Sequence, residues 1–201
     1  RPIYKVSGVP TLNEQYANLL RRPLMAADYA LRRRGPMTMA PSQMGAFAKS
    51  NERHATPNVQ FHVQPLALPK FGEPMYAFPA ITISVCNLRP DSRGSVHVKS
   101  PDFRAHPAIR PNYLATAEDR KVAADSIRLT RRIVAAPALQ GYAPEEYLPG
   151  ASLQSDEDLA RAGAVLGADD ALVLHQVHDA GGAVVADAEA ALHHRGGGAA
   201  R

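Results

Sequence analysis

With one cysteine, no tryptophan and only 6% aromatic residues, this 201-residue chain has few classes open to it. A lone Cys86 cannot build a disulfide framework, which argues against a small secreted scaffold. No apolar run approaches the roughly 20 residues that cross a bilayer. The first residues, RPIYKVSGVP, lack the charged and then apolar segments of a secretion signal. A cytoplasmic setting without a membrane span is the expectation. With so few aromatics to stack on bases, the net charge of +4 does not argue for nucleic acid. The arginines at Arg32, Arg33, Arg34, Arg131 and Arg132 are expected on solvated helix faces. What is present, 45% apolar and 21% charged residues, is the profile of a globular protein able to bury one sizeable core.

Periodicity divides the chain into helices, strands and helices again. Thr11 and Glu14 form a capping box for a helix through Asn18 and Leu20, and Pro23 suits the first turn of a second helix ending near Gly35. The stretch SQMGAFAKSNERHATPN that follows reads as loop. A period of two then takes over. Val59, Phe61 and Val63 alternate with Gln60, His62 and Gln64; Ile81, Ile83 and Val85 alternate with Thr82, Ser84 and Cys86. Turn residues from Pro90 to Gly94 precede GSVHVKS, which predicts a hairpin over Ile83 to Lys99. Thr116 and Asp119 open a last strong helix, with Val122, Leu129 and Ile133 as its apolar stripe beside Ile127 and Val134. Lys121, Asp125, Arg128 and Arg132 fall opposite, and Pro137 stops the helix. Without βαβ alternation, the expected class is α+β, an antiparallel sheet with helices packed on one face.

The C-terminal stretch LVLHQVHDAGG, residues 172–182, places His175 and His178 at H-x-x-H spacing with Asp179 beside the second. Zinc would need a third and usually a fourth ligand, for which His193 and His194 could be offered. A metal site is not the expected reading.

A more specific signal lies in LRPDSRGSVHVKSPDFRAHPAIRPNYL, residues 88–114. It resembles the glucose-methanol-choline (GMC) oxidoreductases, flavoenzymes that oxidise alcohols. The resemblance rests on Leu88, Pro90, Ser92, Arg93, Gly94 and Val96, then Pro107, Ile109, Asn112, Tyr113 and Leu114, then Glu118 and Asp119 opening a helix. Residues 34–50 and 58–65 extend it, so that it runs from Arg1 to about Val177. It implies the substrate domain of that family, with FAD as cofactor and a small alcohol, choline-like or other, as substrate. The family's FAD domain uses a G-x-G-x-x-G turn, which this sequence lacks, so the chain is expected to be a C-terminal part of such an enzyme, inactive and colourless by itself and prone to self-association.

The resemblance also assigns candidate site residues. LVLHQV puts His175 where the family keeps a catalytic histidine, and imidazole suits the removal of a hydroxyl proton near neutral pH. His62 corresponds to a position that lines the alcohol pocket in some members, and Val173 and Leu174 would be pocket walls. The plainer alternatives stay open: a strand-end histidine without a role, a solvated histidine among glutamines, two ordinary core residues. The family pattern lapses after Val177, and residues 178–201 are mostly Ala and Gly without periodicity. Back-translation of Ala188 to Leu192 in another frame can encode Pro-Arg-Leu-Arg, as the family pattern requires there, so residues 178–201 are read as an out-of-frame or disordered tail and 1–177 as the partial substrate domain. Two other functions compete: a non-catalytic binding module that kept the sheet, and a small protein binding metal through its C-terminal histidines.

Overall fold

The computed structural model describes residues 1–40, 42–70 and 73–168, the side chains of the last four excepted. The elements are β1 (Ile3–Lys5), α1 (Leu12–Ala17), α2 (Arg21–Arg32), β2 (Met44–Ala48), β3 (Val59–Gln64), β4 (Ala80–Asn87), β5 (Ser95–His97), β6 (Ala108–Arg110), α3 (Ala117–Val134), α4 (Pro137–Gln140), β7 (Glu145–Leu148) and α5 (Asp156–Ala168). Five strands form one sheet in the order β2-β3-β4-β1-β7, antiparallel throughout; β5 and β6 form a separate two-stranded ribbon. The class is the expected α+β with an antiparallel sheet.

The sequence's alternation decides which face is covered. Tyr4, Val59, Phe61 and Ile83 are buried against Val122 and Val134 of α3, with Ile81, Val63 and Val85 partly buried around them. Behind α3, Ala124 and Ile127 meet Leu153, Leu159 and Ala162, so α5 forms a second helical layer. Among the described residues the opposite face is covered at its β1 end, where Ile3, Ala67 and Ala80 pack under Tyr76, Phe78 and Leu148. Asn13 of α1 locks that cover: its Nδ2 donates to the carbonyls of Ala67 and Tyr76, and its Oδ1 accepts from the Ala67 N–H, all at 2.8 Å. Around β2 and β3 the described residues leave that face exposed or half-buried.

Both helices start where expected, the first with a full capping box and the second with its Thr116 half alone, because the Thr116 N–H donates to Ser92 Oγ instead. The Glu14 carboxylate accepts from the Thr11 N–H at 3.1 Å, and Thr116 Oγ1 accepts from the Asp119 N–H at the same distance.

Several expectations need correction. The hairpin over Ile83 to Lys99 does not form, because β4 already pairs with β3 on one side and β1 on the other; Ser95–His97 finds its partner in Ala108–Arg110. The stretch read as loop contains β2, an edge strand paired in register with β3. Its mostly exposed residues bury no alternating stripe, which is why periodicity missed it. On α3, Ile133 is exposed and Asp125 buried, the reverse of the expected stripe, since a helix between a sheet and another helix buries two faces. Arg131 is not solvated either: it makes a two-pronged ion pair with Glu146 at 2.9 Å.

Candidate functional site

His62 lies in the middle of β3 and, by alternation with buried Phe61, on the sheet face away from α3. Its cross-strand neighbours are Gly45 on β2 and Ser84 on β4. Neither carries bulk, and among the described residues the imidazole is half-buried. Gln60 and Gln64 flank it along the strand, and Gln64 Nε2 donates to Ser42 Oγ at 3.4 Å. Phe47, 64% exposed, pairs with Gln60 and stands diagonally across from His62. The result is an uncharged hydrogen-bonding patch with one titratable base and one aromatic wall. Such a patch can orient a hydroxyl and hold a proton. Cys86 shares the face, but its Sγ donates to the Gln60 carbonyl, and burial pushes the thiol pKa up against that bond. It is no thiolate nucleophile at neutral pH.

Of the site residues expected from sequence, the structure thus places His62. His175, Val173 and Leu174 lie outside the described residues, as do His178, Asp179, His193 and His194. Sequence reasoning missed Gly45 and Phe47 because their strand was not recognised. The signal that could have found them is the register itself, which is a property of the paired strands.

The motif over residues 88–119 proves to be a knot of hydrogen bonds around one carboxylate. Asp119 is 2% exposed and accepts from Asn87 Nδ2 at 3.2 Å, from the Asp91 N–H at 2.9 Å, from the Ser92 N–H at 2.7 Å and from Ser92 Oγ. Burial raises its pKa, but the bonds from Ser92, Asp91 and Thr116 outweigh burial and hold it below the ordinary aspartate value. Ser92 Oγ in turn accepts from the Ala115 and Thr116 N–H groups, so one Asp–Ser pair fastens the turn after β4 to the start of α3. Asn112 Nδ2 donates to the Arg93 carbonyl at 3.0 Å. Gly94 has to be glycine: a Cβ there would stand 2.5 Å from the Pro111 carbonyl oxygen and closer still to that of Arg110. The motif residues therefore build the junction between β4 and α3, and the polar groups of Ser92 and Asp119 are taken up in it.

A second polar recess, about 260 Å³, lies between the loop after β2 and the N-terminus of α3, with His54 Nε2 at 3.6 Å from Glu118. Among the described residues, no three His, Cys, Asp or Glu side chains gather as a metal site, and no helix is long and apolar enough to cross a membrane.

An FAD needs a strand, a glycine-rich turn and a helix N-terminus for its pyrophosphate. The connection from β1 to α1 holds one glycine, Gly8, and a proline, Pro10; those from β6 to α3 and from β7 to α5 hold no G-x-G-x-x-G either. The sheet face around His62 has donors and acceptors that suit a ring system or an alcohol. The described residues thus fit the reacting end of the family's ligands and not the nucleotide end.

Comparison with known proteins places this geometry. The chain is 38% identical over 138 residues to the oxygen-dependent choline dehydrogenase of Serratia proteamaculans (strain 568), covering 69% of this chain and 25% of that protein. It is 40% identical over 117 residues to that of Citrobacter koseri, covering 58% and 21%. The fold matches a formate oxidase variant of Aspergillus oryzae RIB40 with a TM-score of 0.70 at 19% identity, over 81% of this chain and 33% of that one. The chain thus spans about a quarter of the relatives it matches in sequence and a third of the structural neighbour. A family model described as GMC oxidoreductase covers residues 90–197, more than half of the chain and continuing past Val177. Motif, fold and match agree: the chain belongs to the GMC oxidoreductase family.

Proposed function

We propose that this chain is the substrate-domain part of an FAD-dependent oxidoreductase acting on an alcohol, a CH–OH donor of the choline type or another. The observation that carries the reading is the half-buried imidazole of His62 between the small residues Gly45 and Ser84, on the sheet face away from α3. FAD, when bound, supplies the acceptor for the hydride of the alcohol carbon. The chain's own residues do the rest. His62, Gln60 and Gln64 hold the hydroxyl in place, Phe47 excludes water on one side, and His175 takes the hydroxyl proton. Val173 and Leu174 are pocket walls in this reading. The relatives' name, choline dehydrogenase, supports an alcohol substrate.

The test is a chimera in which this chain replaces the aligned segment of the Serratia protein, assayed for alcohol-dependent reduction of an electron acceptor. His175→Ala is expected to lower kcat by about 10²- to 10⁴-fold, and His62→Ala to raise KM more than it lowers kcat. A yellow, folded chimera in which neither substitution changes turnover would refute the assignment.

A further inference from the structure

Helix α2 is mounted with its apolar side outward. At 100° per residue, Leu20, Leu24, Ala27 and Leu31 fall within an arc of roughly 60°. The three leucines are 81%, 67% and 84% exposed, and α2 buries no residue at all. Met25, Asp28 and Tyr29 are its half-buried residues, and of these Met25 and Tyr29 lie on the side away from the stripe. An amphipathic helix normally turns its apolar stripe inward, so this stripe has a partner outside the described fold.

We propose that the outward stripe of α2 is the docking face for the further polypeptide that the relatives carry, a protein surface with an apolar centre. The alignments cover only 25% of the Serratia protein and 33% of the formate oxidase, so both possess chain enough to cover this helix. The charges disfavour the other occupants. A second copy of α2 packed antiparallel would bring Arg21 and Arg22 against Arg32 to Arg34, and a parallel copy would set each group against itself. A lipid surface would use those arginines, but three of the five are engaged within the chain: Arg22 Nε donates to the Tyr16 carbonyl at 2.7 Å, Arg32 pairs with Asp28 at 3.5 Å, and Arg33 lies 5.1 Å over the Tyr29 ring. The inference rests on family membership and not on the alcohol reading.

The test co-expresses the tagged 201-residue chain with the part of the Serratia choline dehydrogenase that lies outside the aligned segment, and measures co-purification. The wild-type chain is expected to retain that polypeptide, and the double variant Leu24→Glu/Leu31→Glu to retain at least tenfold less. The variant's circular dichroism and Tm should match the wild type, because these side chains are exposed among the described residues. Failure of the wild type to co-purify, undiminished retention by the variant, or a large drop in its Tm would each overturn the proposal. So would loss, in the variant, only of self-association in sedimentation or only of binding to phosphatidylcholine–phosphatidylglycerol vesicles, which would give the stripe to a second copy or to a lipid surface.

Discussion

Asp119 shows how much of this fold hangs on a single side chain. Four donors from β4 and the following turn converge on a carboxylate that water scarcely reaches. Removing it would leave those donors unmet in a site shaped for an anion, so Asp119→Ala should cost about 3 kcal/mol in a urea melt. The pH dependence follows from the lowered pKa. Unfolded, the group titrates near about 3.9; folded, it titrates lower, so its contribution is complete above about pH 5 and is lost as pH falls through the folded value. Asp125 behaves alike: burial pushes its pKa up, but bonds from Lys121 and Asn51 pull it below the ordinary value. Wild-type stability should therefore decline below about pH 4, and the Asp119→Ala variant should show a shallower acid limb, retaining only the part due to Asp125. An equal acid limb in both proteins would mean that Asp119 is not held as described.

Between elements, the sheet and helices are joined by one buried ion pair as well as by apolar contact. Arg131 of α3 reaches both oxygens of Glu146 on β7 and also donates to the carbonyls of Gly150 and Leu153. It thereby fixes β7 and the loop leading to α5 against one turn of α3. Truncating Glu146 leaves the guanidinium without its counterion in a mostly buried place. Glu146→Ala should destabilise by about 3–5 kcal/mol and lower Tm by about 10 °C, as differential scanning calorimetry would report. Tyr4 adds to this junction: burial first, then the nearby Glu146 charge, raises its hydroxyl pKa well above the usual range, so the phenol stays protonated. The same tertiary demand explains why the α3 stripe read from sequence was incomplete. Periodicity finds one buried face, and α3 has two.

At the scale of the molecule, the described residues cover one face of the sheet with α3 and the other only at its β1 end. The first face carries α3 and α5; the other holds the His62 patch and is bordered by the exposed aromatic Phe47. With no backbone cradle for a pyrophosphate, the 201-residue chain by itself should not bind FAD saturably below roughly 10 μM, equivalent to about −7 kcal/mol. A fluorescence titration checks this, and tight binding with alcohol-dependent bleaching would show that the described fold misses a nucleotide site. We propose an out-of-frame origin for residues 178–201, and sequencing of the coding DNA across codon 177 decides it.

The sequence by itself determined what local chemistry can encode. Thr11–Glu14 and Thr116–Asp119 announce helix starts because a cap is a bond between residues three apart. Val59, Phe61 and Ile83 announce the buried sheet face because side chains alternate along a strand. The 88–119 motif pointed to the family, although nothing local showed that Ser92 and Asp119 serve as a structural knot. Only the tertiary structure decided which strands pair: β4 had both edges taken, which sent Ser95–His97 to Ala108–Arg110 and left β2 to close the sheet beside β3. That pairing set Gly45 and Ser84 on either side of His62, 17 residues before it and 22 after it along the chain. Register between distant strands is settled by the summed burial of all of them, and no window of sequence contains that sum.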